Sequence, residues 1–165
     1  MRYLTLTVLC CFVMLWSAQA QDTFAFDDDT KLKIEGRLCS TLPDTEGGMR
    51  KAYLHQTSTQ IIISVVDLNA DNTVGGISVY TVDKAKINKT TTEDGVVKQE
   101  NGYYVNDTLY AVVIGCNGGR VQCVEEASYY LSAENISKKK KYYVELPFHD
   151  EAEALKAFKE IQDAL

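Results

Sequence analysis

The sequence predicts an α+β protein that is mostly β: an antiparallel sheet or partly open barrel of roughly 7–8 strands, packed by one C-terminal amphipathic helix. Three observations predict it. From Lys31 onward, apolar and polar residues alternate with period two. Asn101-Gly102 and Asn117-Gly118-Gly119 sit between apolar runs, and such pairs supply the positive φ that tight hairpins need. After Asp150 the apolar period changes to that of a helix.

The N-terminus is an address. Arg2 precedes an apolar run from Leu4 to Trp16, and Ala18-Gln19-Ala20 is a small-x-small site. That pattern is a secretory signal peptide cut after Ala20. The run is shorter than the roughly 20 apolar residues of a spanning helix. Later apolar stretches, Ile61–Val66 and Leu109–Gly115, have the length of strands. Cys10 and Cys11 lie inside the run, followed by Phe12 and Val13 and with no small residue just before them. A lipid anchor is therefore not expected. The expected organisation is a signal peptide over 1–20, a flexible acidic leader over 21–30 and a single globular domain over 31–165. The expected location is extracytoplasmic: periplasmic in a Gram-negative bacterium, extracellular in a eukaryote.

Each element has a local reason. Gln21 to Thr30 carries Asp27-Asp28-Asp29 and reads as a loose leader, whose Phe24 and Phe26 can tuck onto the body. Leu32, Ile34, Gly36 and Leu38 then face one side of a strand, and Lys31, Lys33, Glu35 and Arg37 the other. Cys39 falls in phase with the polar face and is expected as a free thiol at the surface. Pro43 to Gly48 is a break, and Lys51 to Leu54 reads as a strand. Ile61 to Leu68 is nearly continuous and β-branched, as in a central strand covered on both faces. Ile77 to Val82 is the next strand, and Thr90 to Asp94 is a polar loop. Val96–Glu100 and Tyr103–Val105 flank Asn101-Gly102 as a hairpin. Leu109–Cys116 and Val121–Glu125 form the next pair. Ser128–Ser132 and Tyr142–Phe148 flank a Lys-rich tip. Asp150 is a good N-cap with Glu153 three residues on, a capping box. Leu155, Phe158, Ile161 and Leu165 follow at helical spacing beside Ala154 and Ala157. This order, strands then one closing helix, resembles that of pleckstrin-homology-like barrels. The resemblance covers the mature chain at the level of element order, and no residue motif carries it.

Charge and cysteine content narrow the function classes. The chain has 23 acidic against 17 basic residues and a net charge of −6, one unit more negative once Arg2 is removed. That balance argues against nucleic acid, because phosphate binding needs Lys and Arg to displace counterions. Signal cleavage leaves Cys39, Cys116 and Cys123. In an oxidising compartment a pair should bridge. With Gly118–Val121 as the tip, Asn117 faces Gln122 and Cys116 faces Cys123, close enough for a bridge. A three-residue Asn-Gly-Gly loop would put those sulfurs out of register and make Cys39 an alternative partner. No paired C-x-x-C accompanies His55 and His149, so a zinc site is not expected.

Four local patterns carry chemistry. Asp67, Asn69 and Asp71 alternate oxygen donors as a calcium loop does, and the spacing resembles the start of an EF-hand loop. However, Asn72 stands where Gly makes the sharp turn, Ser78 replaces the closing Glu, and the flanks read as strands. A polar hairpin loop is the simpler reading. Lys138, Lys139, Lys140 and Lys141 form a basic run on an acidic protein. Such a run contacts an anionic partner or, more simply, protects a solvated tip from edge pairing. Cys39 with His55 or His149 is a conceivable thiolate–imidazole pair, but Arg37-Leu38-Cys39-Ser40-Thr41 matches no nucleophile signature. Asn88, Asn106 and Asn135 begin sequons, relevant only in a eukaryotic source. Hydrolase, zinc-protease, P-loop and dinucleotide motifs are not found.

The function expected is therefore a secreted or periplasmic non-catalytic binding domain for a protein or glycan partner. It needs no cofactor, calcium aside, and has no nucleic-acid partner and no transmembrane segment. One alternative is an inhibitor or immunity-type protein acting on a basic extracytoplasmic enzyme, steered by the acidic charge. The other is a small hydrolase with an unrecognised site.

Overall fold

Strand pairing divides the chain between two main sheets. The computed structural model describes residues 23–27, 30–34, 36–44, 46–88, 96–100, 108–118, 121–130 and 136–165. The signal peptide and Asn101-Gly102 lie outside these. Among the described residues, β1 (Thr23–Asp27) pairs with β2 (Thr30–Lys33) as a separate hairpin. Then follow β3 (Arg37–Pro43), β4 (Met49–Gln56), β5 (Gln60–Leu68) and β6 (Val74–Asp83), a short 3-10 turn (Lys84–Lys86), β7 (Val96–Glu100) and β8 (Thr108–Gly115). β9 (Val124–Tyr130), β10 (Ser137–Lys141), β11 (Tyr143–Phe148) and helix α1 (Glu151–Asp163) complete the chain.

One sheet has six strands in the order β10-β9-β6-β5-β4-β3, the other three in the order β11-β8-β7, and all pairings are antiparallel. The fold is thus mostly antiparallel β with one C-terminal helix, as the sequence predicts, and the strands are not closed into a barrel. β5 is central between β4 and β6, as its β-branched run requires.

The core lies between the sheets. Ala52, Leu54, Ile61, Ile63, Val65, Val82 and Val124 come from the six-stranded sheet; Val112, Ile114, Val144, Leu146 and Phe148 come from the other. Ala154, Ala157 and Ile161 of α1 pack into the same cluster. Asp150 caps α1, its Oδ1 accepting the Glu153 backbone N–H at 2.9 Å. The apolar stripe runs through Ala154, Ala157, Phe158, Ile161 and Leu165. Leu155, expected on it, is 51% exposed, because it sits about 100° around the helix from Ala154.

Several sequence expectations are corrected. Within the expected leader, Thr23–Asp27 forms β1. The strand expected from Lys31 is broken into β2 and β3 at Gly36, whose φ of 122° is open to glycine alone. A Cβ there would lie 2.6 Å from the Leu54 carbonyl oxygen. β3 then bulges between Leu38 and Ser40. Leu38 pairs with Tyr53 on the face away from the main core and is 44% exposed. Cys39 on the other face is buried, and the extra residue turns Ser40 inward beside it. In place of separate strands at Val121–Glu125 and Ser128–Ser132, Val124–Tyr130 is the single strand β9. β8 does not pair with β9: it lies between β11 and β7, while β9 lies between β6 and β10. The chain crosses between sheets there, and Cys116–Cys123 ties the crossing with Cα atoms 5.6 Å apart.

Candidate functional site

Antiparallel register places laterally paired residues on one face of a sheet. On the six-stranded sheet this builds two rows away from the core. One runs Tyr53, Ser64, Val79, Ala127, Lys138 from β4 to β10. The other runs His55, Ile62, Thr81, Glu125, Lys140 across the same strands. Both rows end in lysine at the sheet edge; the first is apolar or neutral up to Lys138, and the second carries Glu125 next to Lys140. Four strand spacings separate β4 from β10, about 19 Å at about 4.8 Å each.

These rows floor an open cleft of about 600 Å³. Ile62, Val79 and Ala127 are its half-buried apolar floor, with Ile34 and Tyr129 on one side. Ile34, only 2% exposed, also seals a second apolar cluster with Tyr53, Val66 and Ile77. The other side is the β10 lysine ridge, where Lys138, Lys139 and Lys140 line the opening with Glu125 and Glu126. Lys140 Nζ lies 3.9 Å from Glu125 Oε1, both well exposed, so the pair is loosely held. Lys138 and Lys139 make no ion pair among the described residues.

Lys141 is different. Its Nζ is 3.0 Å from Glu126 Oε2 and 5.4 Å from the Tyr80 ring centre, on the opposite face. Burial, reinforced by Glu126, pushes the Tyr80 phenol up to about 12. Burial alone would raise Glu126, but the Lys141 hydrogen bond and charge, with Tyr80 and Ser128 hydrogen bonds, outweigh it and hold the carboxyl below its ordinary range. The run expected as a hairpin tip is therefore an edge strand. Cross-strand pairing with Glu125 and Glu126 offsets the mutual repulsion of its lysines.

Of the three calcium-loop donors, Asn69 and Asp71 meet at the Thr73 hydroxyl, while Asp67 turns to Arg50. Asp67 Oδ1 accepts from Arg50 Nε at 2.6 Å, Asn69 Nδ2 donates to Thr73 Oγ1 at 2.9 Å, and Asp71 Oδ1 accepts the Thr73 backbone N–H at 2.9 Å. Asn72, at φ 63°, supplies the left-handed turn that Asn tolerates. Among the described residues no group of three His, Cys, Asp or Glu side chains is placed to hold a metal ion.

Cys39 is a free thiol, but buried, not at the surface. Its Sγ donates to the Ala52 carbonyl at 3.2 Å, and His149 Nε2 has no hydrogen-bond partner among the described residues. Burial, against a smaller opposing effect from Arg37, pushes the thiol from 9.0 up to about 12. That is the opposite of an activated thiolate. The folded thiol therefore keeps its proton while the unfolded one loses it, so stability falls as pH rises between about 9 and 12. Cys39→Ala should flatten that slope, read as urea midpoints at about pH 8 and about pH 10.5. An unchanged slope would contradict the buried placement.

No protein-family model, no curated protein and no solved structure matches this chain. Of the cleft residues, His55 is legible in the sequence only as a partner for Cys39 or a metal, and Ile62, Val79, Thr81 and Ala127 carry no sequence signal of a site. Their period-two positions were legible; which strands lie side by side was not.

Proposed function

We propose that this is a non-catalytic binding protein that takes a small apolar-bodied ligand on the exposed face of its six-stranded sheet. The observation that carries the reading is the cleft floored by Ile62, Val79 and Ala127. Its volume of about 600 Å³ falls within the range of ligand pockets, about 300–1,000 Å³. A few polar groups, Ser64, Thr81 and His55, stand among the apolar ones, as in sites where polar contacts orient a largely apolar molecule. The protonated, buried Cys39 supports binding over covalent catalysis. We propose further that the protein acts outside the cytoplasm: the signal-like N-terminus and the Cys116–Cys123 bridge support this.

The test uses the neutral probe N-phenyl-1-naphthylamine, whose emission rises in apolar surroundings. The purified protein should bind it one to one. Val79→Glu should abolish the rise while the thermal unfolding midpoint stays close to wild type, since Val79 is only half-buried. No emission rise, or a rise that survives Val79→Glu, would overturn the proposal.

A further inference from the structure

We infer that the ligand is a free amphipathic anion: an extended apolar chain with one carboxylate-type head. This rests on the proposed cleft and adds the chemistry of its rim. The two rows share a direction. Apolar surface lies in mid-sheet at Ile62, Val79 and Ala127, and both rows end at lysines of β10. Lys138 and Lys140 are two apart on one strand and face the same side, about 7 Å from each other. A carboxylate between them meets two ammonium groups, and charge-assisted hydrogen bonds of that kind are short and strong.

Three lysines of the rim stand against Glu125 and Glu126, and Glu126 is already held by Lys141 at 3.0 Å, so the balance of charge favours an anion. Lys138 and Lys139 are unpaired among the described residues, and Lys140 has only the 3.9 Å contact with Glu125. On a chain of net charge −6, this ridge is a local reversal of sign, and it borders the apolar floor. A head group held there leaves a chain to lie along the rows towards β4. The span of about 19 Å from β4 to β10 accommodates an extended chain of roughly ten carbons with room at both ends. A neutral molecule would leave the lysines without a partner, and a cationic one would meet like charge.

The experiment displaces N-phenyl-1-naphthylamine with three ligands of equal chain length: decanoate, decanol and decyltrimethylammonium, each below its micelle concentration. Decanoate should displace it at least about tenfold more strongly than decanol, with the cation weakest; each tenfold step is the loss of one strong contact. Lys138→Gln/Lys140→Gln should remove that advantage while decanol and the probe bind as before. Equal displacement by all three would overturn the anionic head and leave the cleft standing. Absence of any probe binding would overturn the cleft and the head together. Binding to phosphatidylserine vesicles without binding of free decanoate would also overturn the inference, in favour of a membrane surface.

Discussion

Replacing Phe148 by alanine is expected to lower stability by about 3–5 kcal/mol, the usual cost of removing a large buried aromatic side chain. Phe148 ends β11 and is only 1% exposed. Its core neighbours belong to both sheets and to α1, so the cavity would open where three elements meet and close-packed surroundings relax only in part. Chemical unfolding should show a lower midpoint with an unchanged denaturant slope. Phe148→Leu, which keeps most of the volume, should recover most of the loss. A loss below about 1 kcal/mol for the alanine variant would mean that the two sheets do not share this core.

Removing the disulfide as Cys116→Ala/Cys123→Ala is expected to cost about 2.5 kcal/mol, the loop-closure entropy of so short a ring. The bridge spans a sequence separation of 7. Its surroundings give it a second effect. The Cys116 backbone N–H donates to the Tyr142 carbonyl at 2.9 Å, and Asn117 donates to Lys86 at 2.7 Å. The end of β8, the start of β9 and the corner between β10 and β11 therefore meet at this bridge. β9 and β10 carry Ala127, Lys138 and Lys140 of the cleft. The double variant should lose probe affinity as well as stability, and wild type under reductant should behave the same way. Unchanged stability in the double variant would contradict the pairing.

Much of the fold was legible in the sequence because its signals are local. The β-branched run Ile61–Leu68 marks a central strand, and it lies at the centre of the larger sheet, though its Ile62 side is open as the cleft floor. The Asp150 cap and the switch to helical spacing mark α1. What was not legible depends on distant partners. The bulge at Cys39 exists because β3 accommodates β4 with one extra residue. The lysine run becomes a strand because Glu125 and Glu126 are presented opposite it by β9. The crossing between Cys116 and Val124 resembles a hairpin in sequence, since its turn residues are the same in either case. The cleft is the clearest example. Ile62, Val79 and Ala127 lie on three strands far apart in sequence, and only the order β5-β6-β9 makes them one surface.

The most direct test is amide chemical-shift mapping with decanoate. Perturbations confined to β5, β6, β9 and β10, largest near Ile62, Val79, Ala127 and Lys138, are the predicted result. Perturbations centred on the inner residues Val112, Ile114 and Leu146, or none at saturating decanoate, would contradict the assignment of the outer sheet face as the binding site.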